Sequence, residues 1–269
     1  MKTKHKIFLA KFISKIITFF YNKKVLVKRG NINWQLNLNE GIDLSIFLFG
    51  KFESSIVDIA KYLINEKKID ILDIGSNIGV HSLRFAKIFQ KSKIYSIEPT
   101  DYAFKKLKKN ISLNKEIKNI KIFQYFISNM KTIPKEVYSS WELNTRNKKH
   151  KKHLGTLKRT KYSIVKTLDS FVKENKIKNK IFIKCDVDGN ELDVFKSGKN
   201  FFKKYKPYII MELAPYLYPE FGYKVEKLLD LLIEYNYRFY DVKNYSEINN
   251  IYEYASNIKD GSSENIFLK

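Results

Sequence analysis

The sequence contains a single cysteine, Cys185, among its 269 residues. One thiol excludes an internal disulfide framework and a zinc site built from cysteines. Because Cys185 lies in an apolar segment, we expect a buried, unreactive thiol and a reducing, cytoplasmic compartment. The sequence also has no internal repeat and no segment of linker composition. Its length suits one α/β domain of ordinary size.

Arginine is scarce as well. Five of the 51 basic residues are arginine, so 46 are lysine, and the formal net charge is +23. A charge of this size often indicates an anionic partner, such as nucleic acid or a membrane surface. A surface that reads phosphates is expected to use arginine, because its planar guanidinium binds oxygens in pairs. We therefore favour a lysine-rich composition as the explanation of the charge over nucleic-acid binding.

The N-terminal residues 1–24 lack an uninterrupted apolar run. Lys11 and Lys15 interrupt the stretch, and no small-residue cleavage site follows it, so neither a transmembrane helix nor a signal peptide is predicted. The apolar residues recur near helical spacing with lysines between them. Two interpretations remain open: a helix that packs on the domain, or a basic amphipathic helix that lies on an anionic membrane surface.

Apolar strands and amphipathic helices account for most of the remaining chain. Residues 25–68 predict a strand pair followed by a helix from Asp43 to Asn65. Residues 69–269 alternate seven strands with helices, which predicts an α/β, Rossmann-like, mostly parallel sheet with helices on both faces. Residues 129–166 interrupt this pattern without strong periodicity. We expect their basic cluster, 148–153, to be a solvated, mobile tip; the alternative is an anion-attracting lid above the site.

The stretch "ILDIGSNIGV", residues 71–80, places Asp73 at a strand end and Gly75 and Gly79 in the following turn. Asn77 replaces the middle glycine of the dinucleotide motif, so a ligand without pyrophosphate fits better. Glu98 follows Gly79 by 98 − 79 = 19 residues, near the position where an acid binds ribose hydroxyls. The loop and the acid together predict an adenosine cofactor without diphosphate, and S-adenosylmethionine meets that description.

A second cluster lies in "IFIKCDVDGNELDVFKSG", residues 181–198. Its strand carries Lys184 and Asp186 on one face, and Asp188 and Glu191 follow in the turn. Ionisable groups at a strand end are costly unless they are paired or functional. The structural alternative is a lysine–carboxylate pair, with Asp188 or Asn190 capping the next helix. That alternative is weaker for Asp186, which we expect to point into the crevice.

These two stretches, together with "IYSIEP", "TLDSFV" and "PYIIMELAP", resemble the FkbM family of S-adenosylmethionine-dependent methyltransferases from about residue 50 to residue 269. The resemblance implies a class I methyltransferase fold and O-methylation of a hydroxyl of a sugar, glycan or related small molecule. Asp188 stands where the family usually has glutamate. Two alternatives remain: a nucleic-acid methyltransferase or basic RNA-binding protein on the same fold, and an inactive interaction protein. The chain has "CDVDGNE" where base methyltransferases have N-P-P-Y or D-P-P-Y.

The resemblance also implies roles for site residues. We predict that Asp186 is the general base, that Lys184 orients it, and that Glu191 and Glu212 position substrate hydroxyls. A divalent metal held by Asp186 and Glu212 is an alternative that we do not favour. The predicted contacts to S-adenosylmethionine are Glu53, Asp73, Gly75, Ser76, Asn77, Gly79, Glu98 and Pro99.

Overall fold

A computed structural model describes residues 3–64, 69–139, 141–145, 149–152 and 154–269, with side chains from residue 9 onward. The elements that precede the main sheet are α1 (Thr3–Phe20), β1 (Lys24–Arg29), β2 (Ile32–Asn37), α2 (Gly41–Phe49) and α3 (Ser54–Leu63). The next are β3 (Asp70–Ile74), α4 (Val80–Ile88), β4 (Lys93–Ile97), α5 (Asp101–Ser112), β5 (Ile120–Phe123), β6 (Tyr125–Ile127), β7 (Glu136–Ser139), β8 (Thr156–Arg159) and β9 (Ile164–Lys166). The last are α6 (Leu168–Glu174), β10 (Ile181–Cys185), α7 (Glu191–Ser197), α8 (Lys199–Tyr205), β11 (Tyr208–Leu213), α9 (Val225–Glu234), β12 (Phe239–Asp241), α10 (Ile251–Ser256) and β13 (Glu264–Leu268), with a 3-10 turn at Tyr218–Phe221.

The main sheet has seven strands in the order β12-β13-β11-β10-β3-β4-β5. β13 runs antiparallel to both its neighbours and the other pairs are parallel, which confirms the predicted sheet. The chain moves outward from β3 through β4 to β5, and then returns to the other side of β3 as β10. A reversal of this kind opens a crevice at the carboxyl ends of the two central strands.

Apolar side chains cover both faces of the sheet. In β3, Leu72 and Ile74 pack against the helices α6 to α9, whereas Ile71 faces α3 and α4. This alternation follows from the two-residue period of a strand, and burial on both sides explains the near-continuous apolar character of the central strands. The core thus holds β3 and β10 rigidly, and their ends position the site.

Residues 25–68, which precede the sheet and are called the lead-in here, differ from their prediction in one respect. The strand pair is present as the antiparallel hairpin of β1 and β2. The single helix expected from Asp43 to Asn65 is wrong, because Gly50 ends α2 in the left-handed region at φ +68° and α3 begins at Ser54. Trp34 and Leu36 of β2 pack against Ile78 beside the glycine loop, so lead-in and sheet share one core.

Residues 129–166, the insertion into the alternating pattern, contain more regular secondary structure than their sequence indicated. β7 and β8 form an antiparallel hairpin, and β9 pairs in parallel with β6. Strands of three or four residues are too short to give a period-two signal. Backbone hydrogen bonds fasten the insertion to the lead-in, from Gly41 N to Trp141 O at 3.0 Å and from Leu143 N to Asn39 O at 2.6 Å.

The helix predicted within residues 1–24 is present as α1. Its inward side chains contact Trp141 and Leu154 of the insertion and Leu44 of α2, as expected for a helix that packs on the domain. Across the ranges that the structure describes, no helix combines the length and apolarity needed to cross a membrane.

Candidate active site

A cavity of about 1130 Å³ lies at the crevice between β3 and β10. Single-ligand pockets commonly measure about 300–1,000 Å³, so this cavity has room for a cofactor and an acceptor. The predicted residues that line it are Glu53, Gly75, Ser76, Asn77, Glu98, Pro99, Lys184, Asp186 and Glu212. The predicted residues Asp73, Gly79 and Glu191 are not among the described lining residues.

The glycine loop brings the ends of β3 and β10 together. Gly75 has φ +79°, and a Cβ at this position would lie 1.8 Å from the backbone oxygen of Asp186. Gly79 has φ +92°, and its Cβ would lie 2.7 Å from the Leu107 side chain of α5. Both glycines are therefore required by close packing as well as by their left-handed backbone. The loop forms a floor on which a ligand can rest.

Ser76 carries an unused polar atom in this floor. Its side chain is buried, and its Oγ has no hydrogen-bond partner in the described part of the chain. A buried hydroxyl without a partner costs free energy unless a ligand or water satisfies it. Because Ser76 lines the cavity, a bound cofactor with polar atoms fits this position.

Glu98 lies at the end of β4, opposite the glycine loop. Its Oε2 accepts a hydrogen bond from Asn77 N at 2.9 Å, and its Oε1 accepts from Thr100 N at 2.9 Å and Thr100 Oγ1 at 2.6 Å. Burial raises the pKa of the Glu98 carboxyl, although these hydrogen bonds oppose the shift. A carboxyl has about four acceptor positions, so Glu98 retains capacity for a hydroxyl donor such as ribose.

Lys184 joins the two central strands at the site. The register places Lys184 directly opposite Asp73, and its Nζ lies 3.7 Å from Asp73 Oδ1 and 3.2 Å from Asp186 Oδ2. Nζ also donates to Gly75 O at 2.9 Å. Burial lowers the pKa of this ammonium, but the charges of Asp186 and Asp73 outweigh burial and raise it above its ordinary value. Lys184 therefore stays charged and fixes the position of the Asp186 carboxylate, which is one-third exposed to the cavity.

Asp73 and Glu191 lie behind the described residues that line the cavity, and their predicted contacts with cofactor and substrate stay predictions. Asp73 is fully buried, because its side chain faces α4 and accepts a hydrogen bond from Ser82 Oγ at 2.5 Å. Glu191 Oε1 accepts from the backbone nitrogens of Val187 at 3.2 Å and Gly189 at 3.4 Å. Burial raises the pKa of Glu191 to about 7. Both acids shape the loops that carry the lining residues.

Three carboxyl groups meet at one side of the cavity. Asp186, Asp188 and Glu212 each offer an oxygen within 4.8 Å of the others, a grouping that suits a divalent cation. The sequence indicated Asp186 and Glu212 for such a role but not Asp188. Burial, and then the charge of Asp186, raise the pKa values of Asp188 and Glu212 well above their ordinary values. Two neutral carboxyls beside the Lys184–Asp186 pair are an alternative to a metal, and the prediction of no metal stays a prediction.

The sequence reasoning missed two histidines that line the cavity. His81 is buried at the start of α4, and its Nε2 lies 3.7 Å from Glu53 Oε2. His150 is also buried, with Nε2 2.7 Å from Glu220 Oε2, so the expected solvated tip is wrong for this residue. His81 directly follows the glycine loop and could have been found there, whereas His150 depends on how the insertion folds. Lys148 and His153 of the same cluster lie outside the described residues.

Aromatic rings from three segments complete the walls. They belong to the insertion, to the segment after β5 and to the loop after β11, and no pattern in the sequence links them as a group. The aromatic lining residues from these segments are Tyr125, Phe126, Tyr138, Trp141, Tyr216 and Phe221.

The reversal at β3 and β10, the glycine loop without a middle glycine, and the acid that follows β4 together define a Rossmann-like class I methyltransferase. A model of the methyltransferase FkbM domain matches residues 73–239. The chain belongs to the FkbM methyltransferase family, and its cofactor is S-adenosylmethionine. The matched range is shorter than the span of residues 50–269 over which the sequence resembles the family.

Solved structures of similar fold include several methyltransferases. A SAM-dependent methyltransferase from Aquifex aeolicus has a TM-score of 0.44 and 12% identity, over 84% of this chain and 93% of that one. M. jannaschii TYW2 in complex with AdoMet has a TM-score of 0.42 and 13% identity, over 92% and 85%. A fibrillarin/Nop5p complex has a TM-score of 0.44 and 15% identity, over 80% and 78%. No curated protein sequence matches the chain. These scores are too low for any conclusion about the acceptor.

Proposed function

We propose that this methyltransferase transfers its methyl group to a hydroxyl of a sugar, a glycan or a related small molecule, with Asp186 as the general base. The observation that carries the proposal is the position of Asp186. Its carboxylate is exposed to the cavity at the carboxyl end of β10, and β10 pairs with β3, the strand that leads into the glycine loop. The Asp186 backbone nitrogen donates to Ile74 O at 3.1 Å, which locks this end of β10 against β3.

The chemistry of a hydroxyl acceptor requires such a group. S-adenosylmethionine supplies an activated methyl group when it is bound. A hydroxyl oxygen must be aligned with that methyl group, and its proton must pass to a base. Asp186 is held at 3.2 Å by Lys184 and accepts that proton at its carboxylate. Aligning the base in advance lowers the barrier, because no side chain has to reorganise during transfer.

The acceptor side of the cavity supports a sugar as substrate. Tyr138, Trp141 and Tyr216 present ring surfaces, against which the C–H faces of a sugar can pack. Asp188 and Glu212 face the same space, and their carboxyl groups can bind hydroxyls. A wall that combines rings with carboxyl groups suits a polyhydroxylated acceptor, because a carboxyl group can hydrogen-bond to hydroxyls in either protonation state.

The test is transfer of a labelled methyl group from S-adenosylmethionine to a panel of sugars, glycans and RNA. We expect transfer to a hydroxyl of a carbohydrate, and Asp186→Asn should reduce turnover by about 10²–10⁴-fold while cofactor affinity by calorimetry changes little. Asp193→Asn, the same change on α7 outside the cavity lining, is the matched control and should keep full turnover. Transfer to RNA alone would refute the acceptor class, and full turnover of Asp186→Asn would remove Asp186 from the role of base.

A further inference from the structure

The N-terminal helix α1 carries two apolar faces, of which the domain covers one. The inner face holds Ala10, Ile13 and Ile17, which pack against the domain core. Ser14, on the same face, is fully buried, and its Oγ donates to Leu38 O at 2.8 Å. This face accounts for the attachment of α1 to the rest of the molecule. Nothing in this attachment requires the apolar residues of the other face.

The outer face of α1 exposes large apolar side chains. Residues three and four apart lie on one side of a helix, so these side chains form one stripe. A soluble monomer rarely leaves a contiguous apolar stripe uncovered unless that stripe binds something. Phe19 is 83% exposed and Phe20 is 74% exposed, values that leave nearly the whole rings in solvent. The stripe consists of Leu9, Phe12, Ile16, Phe19 and Phe20, and Tyr21 continues it at 55% exposure.

The charged residues of the segment that carries this stripe have one sign. Residues 1–39 contain no aspartate or glutamate, and their nine basic residues are Lys2, Lys4, Lys6, Lys11, Lys15, Lys23, Lys24, Lys28 and Arg29. Of these, Lys15, Lys23, Lys24 and Lys28 are exposed in the structure. A second copy of this face would bring lysines against lysines, so self-association through it is disfavoured. The complementary surface must be negatively charged and able to take up phenylalanine rings.

We propose that the outer face of α1, with Tyr21 and the lysines that flank it, docks the enzyme on the surface of an anionic phospholipid bilayer. The helix lies in the plane of the interface, with Phe12, Phe19 and Phe20 among the upper acyl chains. The lysines contact the headgroups, and Tyr21 occupies the interfacial zone that suits its ring and hydroxyl. This docking is independent of the acceptor class proposed above, because it concerns a surface outside the cavity.

The test is sedimentation of the full chain with vesicles of phosphatidylcholine alone, or with one quarter phosphatidylglycerol. We expect binding to the anionic vesicles, and weakening of that binding as salt rises. Phe19→Ser/Phe20→Ser should reduce the partition coefficient at least tenfold, because burying one phenylalanine ring is worth about that factor or more. Lys15→Glu/Lys23→Glu/Lys24→Glu should reduce it about 100-fold on anionic vesicles, since each lost lysine contributes about fivefold.

Matched controls come from exposed residues outside α1. Tyr162→Ser removes an aromatic ring that is 67% exposed, and Lys199→Glu/Lys204→Glu/Lys227→Glu reverses three exposed charges on α8 and α9. Both controls should bind vesicles as the parent does, and circular dichroism checks that every variant is folded. Two results would overturn the proposal. One is equal binding to anionic vesicles by the parent and the Phe19/Phe20 variant. The other is a parent that forms a dimer and does not bind vesicles, together with a Phe19/Phe20 variant that is monomeric.

Discussion

Replacing Lys184 by methionine should destabilise the fold strongly, because the fully buried Asp73 carboxylate and the partly exposed Asp186 carboxylate would lose their counter-ion. Lys184 Nζ lies 3.2 Å from Asp186 and 3.7 Å from Asp73, and it donates to Gly75 O at 2.9 Å. Asp73 is fully buried, and its Oδ1, the atom nearest Lys184, has no hydrogen-bond partner among the described residues. Removing one partner of a buried ion pair typically costs about 3–5 kcal/mol. Methionine matches the length of the lysine stem, so lost packing adds little.

Urea unfolding at pH 7 measures this cost. With a slope near the upper end of the usual range, about 3 kcal/mol per M, the midpoint should fall by roughly 1–2 M. The double variant Lys184→Met/Asp73→Asn separates charge from packing, because it removes the buried charge together with its partner. Its midpoint should recover a large part of the loss, as expected when both members of a buried pair are replaced.

Two results would refute this reasoning. A midpoint of Lys184→Met within about 0.3 M of the parent would mean that water or another cation compensates Asp73. A double variant no more stable than the single variant would mean that lost packing, and not the uncompensated carboxylate, causes the effect. The contribution of Lys184 to the stability of the parent should not change with pH below 10.5, the ordinary pKa of lysine. The pKa of Lys184 is raised above that value, so its ammonium stays charged throughout this range.

The remaining predictions concern the cofactor, Glu191 and metal dependence. Glu98→Ala should weaken the binding of S-adenosylmethionine, measured by calorimetry, by at least about tenfold. The reason is that one hydrogen bond to a charged group contributes about 1.5–3 kcal/mol. Unchanged affinity would exclude a contact between Glu98 and the ribose. Glu191→Gln should be more stable than the parent at pH 8 by about 1–3 kcal/mol and equal to it near pH 4.5 in urea unfolding. In the folded parent the pKa of Glu191 is about 7, above the ordinary 4.5, so the stability from its protonated form is full below pH 4.5 and is lost as the pH rises to 7. A difference in stability between the two proteins that does not change with pH would contradict this prediction. Dialysis against EDTA should leave methyl transfer intact, and a loss restored by Mg²⁺ would instead make Asp186, Asp188 and Glu212 ligands.

Much of the fold could be read from local patterns. The apolar run that ends at Ile74, the glycine turn after it and the helix behind it are signals within about twenty residues. The same holds for β10 and α7, where the two-residue period of a strand predicted that Lys184 and Asp186 share a face. Their separation of 3.2 Å confirms that prediction. The break between α2 and α3 was missed because Gly50 lies within an otherwise helical apolar pattern.

Other parts of the site could not be predicted, because they depend on contacts between distant segments. His150 reaches Glu220 across 70 residues, and Trp141 joins the cavity wall through a hydrogen bond from Gly41. No local period encodes such contacts, because they join segments that are far apart in the sequence. The packing of α1 could not be predicted for the same reason. The spacing of its apolar residues fits a helix that packs on the domain as well as a helix that lies on a membrane surface. The structure gives one face to the domain and leaves the other exposed.

Patterns within the sequence were enough to predict the sheet, the glycine loop, the acid that follows β4 and the ionisable cluster after β10. They were enough because strand period, turn glycines and strand ends are local properties of a chain. Which of these residues face the cavity depends on how the strands and helices pack together. Asp73 accepts a hydrogen bond from Ser82 of α4 and is not among the described lining residues, whereas Glu98, although buried, lines the cavity. Both acids lie on one face of the sheet, because Asp73 pairs with Ser96 and Glu98 lies two residues beyond Ser96. The difference arises because Asp73 lies within β3, beneath α4, whereas Glu98 lies past the end of β4, where the crevice opens.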